Sequence, residues 1–213
     1  YEDRHLTDRV DSANLVSECF VSVFKTNLVG DFRDGFLGGG LNAYTLSFSN
    51  GNVGIAPGAD VVADLGARQT LGDYKTWQLQ ARRLQRVTEN TSFLAALSMQ
   101  RANKNLTSSE KFALGGPNAV RAYPVSEGSG DEGMVFQAEL RYVLPGVKPL
   151  GGDFTVMGFV DHGESKINRK PLATDSPNHR SISGYGIGAT LGKEGNFLAR
   201  VYAAWSGDRE VPQ

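Results

Sequence analysis

The densest chemistry in this chain lies in Leu114-Gly115-Gly116-Pro117-Asn118-Ala119-Val120-Arg121-Ala122-Tyr123-Pro124. Gly115-Gly116-Pro117-Asn118 dictates a tight reversal, because glycine and asparagine tolerate left-handed backbone and proline presets a turn. The reversal throws Val120, Arg121, Ala122 and Tyr123 out as a hairpin tip carrying one arginine. A guanidinium does not lose its proton in a protein, so an enclosed one needs a carboxylate partner. Forty residues on, Phe159-Val160-Asp161-His162-Gly163 ends an alternating segment and supplies one. If Phe154, Val156, Gly158 and Val160 share one face, Phe159 and Asp161 share the other. Asp161 can then take a bidentate pair from Arg121.

Other chemistries fit poorly. Asp161 beside His162 hints at a catalytic pair, but a serine hydrolase needs a nucleophile and an oxyanion hole as well, and no nucleophile-elbow motif is present. Gly115-Gly116 is followed by neither Lys-Ser/Thr nor a helix start, so it does not cradle phosphate. Cys19 is the single cysteine. It forms no intrachain disulfide, and no Cys/His group has metal-ligand spacing. His5 and His179 sit in polar contexts and read as surface residues. The expectation is no enzyme, no cofactor and no metal.

The elements that must hold Arg121 and Asp161 are strands. Period-2 alternation dominates. Trp77, Leu79 and Ala81 fall opposite Gln78, Gln80 and Arg82. Met134, Phe136, Ala138, Leu140 and Tyr142 fall opposite Val135, Gln137, Glu139 and Arg141. Rows of Gln, Glu and Arg facing rows of large apolar residues suit a barrel with a wet lumen and an apolar exterior. Weaker alternation marks Leu41–Ser49, Phe93–Ala102, Ser183–Leu191 and Phe197–Trp205, with two more strands near Val16–Val29 and Phe154–Asp161. That makes about eight strands, near the ~9–11 residues a tilted strand needs to cross a bilayer. Asp31–Gly39, Val87–Thr91, Val143–Gly152 and Gly192–Gly195 are short connections. Gly51–Gly72, Asn103–Gly133 and His162–Arg180 are long ones. No helical stretch of real length is expected, and Asp208–Gln213 reads as a loop. Tyr44, Trp77, Tyr142 and Trp205 are placed as interface-girdle aromatics.

Composition agrees. Lys plus Arg is 22 and Asp plus Glu is 23, a net charge of −1, so the basic excess of a nucleic-acid binder is missing. Gly is 26 and Pro only 8, which points to tight strands and turns. Mean hydropathy is −0.29, a value that an alternating transmembrane barrel shares with soluble proteins.

Leu114 to Pro124 resembles the lid loop of the polypeptide-transporting outer-membrane barrels, whose tip reads Val-Arg-Gly-Tyr. It is most similar to the two-partner secretion translocators of the hemolysin activation/secretion and filamentous hemagglutinin transporter type. Their version runs close to Leu-Gly-Gly-Pro-Asn-x-Val-Arg-Gly-Tyr-Pro. Phe159, Asp161 and Gly163 match the superfamily's Phe-x-Asp-x-Gly strand motif. Gly30-Asp31-Phe32-Arg33-Asp34-Gly35 with Gly38-Gly39-Gly40 is a weaker likeness. The resemblance implies that Arg121 pairs with Asp161 inside the barrel; the alternation itself puts Gln78, Gln80, Arg82, Gln137, Glu139 and Arg141 along the lumen. Ala122 departs from the usual Gly. If that position needs a positive φ, Ala costs about 1 kcal/mol.

The resemblance further implies an all-β, antiparallel transmembrane barrel in the bacterial outer membrane. Over 1–213 the chain would be the C-terminal part of a sixteen-stranded translocator domain, with a lid loop at about 103–133. Periplasmic domains and a closing strand would lie outside it. Its partners would be the lipid bilayer and a secreted exoprotein such as an adhesin, cytolysin or toxin, with no nucleic acid. An open piece leaves two sheet edges, so self-association of the truncated chain is also expected. Competing readings are an assembly barrel of the same superfamily, a passive diffusion porin and a soluble β-sandwich module. The Gly-Pro-Asn lead-in favours secretion over assembly.

Overall fold

Residues 1–10, 15–55, 59–66, 68–171 and 177–207 are described by the computed structural model. Among them are nine strands, β1 (Glu2–Val10), β2 (Leu15–Asp34), β3 (Gly40–Ile55), β4 (Gly72–Arg86), β5 (Thr91–Ala102), β6 (Glu132–Val143), β7 (Asp153–Lys166), β8 (His179–Lys193) and β9 (Phe197–Ser206). Each pairs antiparallel with the next in sequence, giving one sheet in the order β1 to β9. Among the described residues no ladder joins β9 to β1.

Register follows from the alternation. Tyr44, Leu46 and Phe48 of β3 stand opposite Ala81, Leu79 and Trp77 of β4, while Thr45, Ser47 and Ser49 stand opposite Gln80, Gln78 and Thr76. A slip of one residue would swap these faces. The burial is inside-out. Leu46, Trp77, Phe136, Leu140 and Ile187 are exposed, whereas Ser47, Ser49, Thr76, Gln100, Glu139 and Asp161 are buried. In water that arrangement would be strongly unfavourable; with hydrocarbon outside and polar groups inside it is the wall of a transmembrane barrel. The sheet also curls. One cavity of about 910 Å³ is lined by residues of β2 to β6 and of β9, and β2 and β9 would lie about 34 Å apart if the sheet were flat. No described helix is long and apolar enough to cross a membrane.

Four expectations need correction. The expected eight strands are nine, because β1 occupies the charged opening run. Arg4 bonds Glu2 and Glu110, and Ser22 donates to Asp3, and the run carries no apolar period to read. Strands β2 and β3, at 20 and 16 residues, outrun the hydrocarbon. The Asp31–Gly39 connection therefore contracts to residues 35–39, with a 3-10 turn at Phe36–Gly38. The stretch read as a Gly51–Gly72 loop holds the end of β3 and a helix, α1 (Ala59–Gly66). Asp64 closes it by accepting bonds from the Thr70 amide and hydroxyl and from the Leu71 amide. The His162–Arg180 loop loses both ends to β7 and β8. The expected terminal loop, 208–213, lies outside the described residues.

Two apolar clusters sit on the concave face. Val21, Val23, Val53, Tyr74, Ala102 and Leu106 form one. Leu114, Val120, Tyr123, Val135 and Ile182 form the other, where the β5–β6 loop packs on the wall.

The wall's polarity gives a test. Ile187 is exposed on the outer face, and Ile187→Arg is expected to cost about 2–4 kcal/mol in a bilayer if it sits near midplane. Thr45→Arg, facing the cavity, should be close to neutral. Denaturant titration of protein folded into liposomes measures both; equal costs would reject the assigned faces.

Candidate functional site

The site is built by the long loop between β5 and β6. Its reversal is local: Val120 N–H donates to Leu114 O at 2.8 Å and Ala119 N–H to Gly116 O at 3.0 Å. Gly116 has φ +126° and Gly115 lies against Pro124 O, where a Cβ would meet it at 2.2 Å. Both positions therefore demand glycine. The tip does not protrude into solvent. Val120 and Leu114 are fully buried and turn the loop back onto the wall.

That packing aims Arg121 at β7. Its Nε donates to Asp161 Oδ2 at 2.8 Å and its Nη2 to Asp161 Oδ1 at 2.6 Å. Its backbone N–H adds a third bond to the same carboxylate at 3.1 Å. Nη1 donates to Glu139 Oε1 on β6. The guanidinium carbon lies 3.6 Å from the centre of the Phe159 ring and 5.3 Å from that of Tyr202, and the two rings meet edge to face. The Arg121 and Asp161 side chains are only 4% and 0% exposed. Burial alone would lower the Arg121 pKa; the bond and charge of Asp161, with Glu139, outweigh it and hold the group above its ordinary value. Glu139 is shared. Its other oxygen accepts Nε and Nη2 of Arg141 at 2.8 and 2.6 Å. Two cations and two carboxylates thus close a neutral cluster, as buried charges require.

Register assembles the cluster. The β6–β7 ladder sets Gln137 opposite Asp161 and Glu139 opposite Phe159. Gln137 Nε2 donates to Ala119 O of the lid at 2.8 Å. Behind the lid, β8 presents glycines. A Cβ on Gly184 would sit 2.8 Å from Ala122 Cβ, and one on Gly186 would sit 2.4 Å from the Phe159 ring. Gly163 faces Val120 and Leu114. Tyr123 and Ser206 of β9 share a 2.6 Å hydroxyl bond. Ala122 is not among the positive-φ residues, so the departure from Gly carries no backbone strain.

The loop's base is tied separately. Asp131, fully buried, accepts the Leu106 amide at 3.1 Å and the Arg169 amide at 2.7 Å, and Lys111 Nζ lies 3.3 Å away. Arg180 bonds Glu127 at 2.6 Å. These join the lid to the β7–β8 connection through Arg169 and to the start of β8 through Arg180.

The sequence placed Arg121 with Asp161, and the structure brings them together. Gln80, Arg82, Gln137, Glu139 and Arg141 line the cavity with Arg121, Pro117 and Asn118; Gln78 instead bonds Gln100 at 2.7 Å. The Arg121–Glu139 bond, the Tyr202 face, the Gly184 seat and the Asp131 anchor were not read from sequence. The alternating Gly184, Gly186 and Gly188 were a usable signal, since strand glycines mark close approach of another group.

A sheet with apolar outside, polar cavity and an arginine-clasped loop across it defines a β-barrel membrane protein. The haemolysin secretion/activation family (ShlB/FhaC/HecB) model matches residues 40–191, and the chain belongs to that family. The heme/hemopexin transporter protein HuxB of Haemophilus influenzae strain 86-028NP is 29% identical over 123 residues, 56% of this chain and 21% of HuxB. HuxB of strain Rd matches over the same extent at 29%. The structure of CdiB from Escherichia coli superposes with a TM-score of 0.60 at 17% identity, covering 99% of this chain and 46% of that one. The chain thus spans about a fifth of HuxB and under half of CdiB.

Two tests follow from the geometry. Arg121→Ala leaves Asp161 buried without its cation and should destabilise the folded barrel by about 3–5 kcal/mol. The Arg121→Ala/Asp161→Asn pair should cost much less than the sum of the singles. Additive denaturation midpoints would show the two do not act as a pair. Gly184→Ala should cost about 1–3 kcal/mol through overpacking, and Ala122→Gly in the same molecule should restore most of it. A double variant no more stable than Gly184→Ala alone would disprove the seat.

Proposed function

We propose that this chain forms part of an outer-membrane pore through which a partner exoprotein leaves the cell. Membership of the haemolysin secretion/activation family supports the reading. The observation that carries it is the Arg121 cluster: a loop crosses the concave face and is fastened there by one buried, neutralised guanidinium. A passive diffusion channel has no need of a fastening so specific and so deeply buried. The cavity beside the loop is lined by Gln80, Arg82, Gln137 and Arg141, which keep a path wet for an extended polypeptide. The pore itself supplies polar surface and a lid. Folding of the cargo outside and its one-way exit supply the drive.

The partner is a large secreted protein of the adhesin, cytolysin or toxin kind. The experiment uses the full-length parent in its own outer membrane, with the exoprotein encoded beside it. Secretion into the medium is expected to require this protein and to fall several-fold with Arg121→Ala. Exoprotein reaching the medium in the deletion strain would refute the reading. Unchanged secretion and conductance in Arg121→Ala would remove the lid from it.

A further inference from the structure

We infer that the pocket around Arg121 is a guanidinium receptor, and that a basic side chain of the exported polypeptide occupies it when the lid tip withdraws; the second half rests on the translocation reading above. The pocket has the shape of the group. Asp161 takes two parallel N–H bonds, Glu139 takes a third from the remaining edge, and Phe159 covers the flat face at 3.6 Å. Tyr202 stands at the side of that face. Two carboxylate edges with an aromatic floor match a planar, forked cation and fit a compact ammonium less well.

Charge favours refilling. Glu139 also holds Arg141, through its other oxygen. Asp161 has no second ion-pair partner among the described residues, and the lid tip is part of what covers it. With the tip withdrawn it would face the lumen as an unpaired carboxylate beside Glu139, a site that draws in a cation. The pocket is also reachable. Arg121, Glu139 and Tyr202 border the cavity, where Arg82, Arg141 and Arg200 make the rest of the wall mostly basic and Asp31 is the other carboxylate. An extended chain passing along that wall offers its side chains one after another. Its arginines find at Asp161 a place already shaped for them, and their binding stabilises the open lid.

The test uses the full-length protein in planar bilayers, with a Gly/Ser hexapeptide carrying one central arginine and the same peptide with citrulline, the neutral analogue. In Arg121→Ala the arginine peptide is expected to block current at least tenfold more tightly than the citrulline peptide. Adding Asp161→Asn should erase the difference, and wild type, whose pocket Arg121 fills, should show little of it. Equal block by the two peptides in Arg121→Ala, or a difference that survives Asp161→Asn, overturns the receptor. Arg121→Gln serves as a second variant. If neither variant inserts, guanidinium well below denaturing concentration should restore insertion, and failure to restore it also overturns the receptor. Loss of exoprotein dependence in cells would refute the secretion reading alone, because peptide block is read without cargo.

Discussion

A single positive charge held almost out of reach of water constrains much of this structure. Arg121 cannot be neutralised by losing its proton, so everything within a few ångströms must accommodate it. That requires Asp161 at an inward position of β7 and Glu139 at an inward position of β6, with the two strands in one register. It requires Phe159 beside the charge and glycine at 186 to leave room for that ring. A shift of β6 by one residue would carry Glu139 and Gln137 to the lipid face together. The lid would then lose two of its polar contacts to the wall at once.

The lid's apolar contacts have a different role. Leu114, Val120 and Tyr123 pack on Val135 and Ile182, burying surface that a bare polar lumen would not offer. This cluster places the tip, and the guanidinium then fixes its depth and orientation. Gly184 and Ala122 show the fit: each position is small because the other element approaches closely there. An arginine at the same tip without that seat would reach Asp161 only through water.

The barrel class was legible because it depends on alternation, and β4 alternates cleanly over Thr76–Arg82 as β6 does over Phe136–Tyr142. The Arg121–Asp161 pair was legible because both ends lie in short motifs. What escaped depends on register or on surroundings. Glu139 could be placed on the lumenal face from sequence, but its bond to Arg121 exists only because β6 and β7 pair as they do. Strand β1 escaped because its contacts, Arg4 with Glu110 and Asp3 with Ser22, are polar, leaving no apolar period to read. Helix α1 escaped because eight residues give too short a window. Asp131 escaped because its ligands are backbone amides of Leu106 and Arg169, and amides carry no sequence signature.

The two ends of the lid are fastened by different chemistry, and the difference decides which end can move. At the base, Asp131 binds amides that belong to the loop and to the β7–β8 connection themselves. No passing molecule can substitute for those donors, because they are part of the backbone path, and Gly130 seats the chain directly against Lys166 O. At the tip, the charged fastening is a side chain in a pocket, and a group of like shape and charge can take its place. Under the exchange inferred above, the lid would move at its tip while its base, where Asp131 holds backbone amides, stays in place. The Glu127–Arg180 and Ser165–Gly128 bonds lie on the base side of that division. The part that would move is then the short stretch around Leu114–Tyr123, and Arg121, the exchangeable contact, borders the cavity.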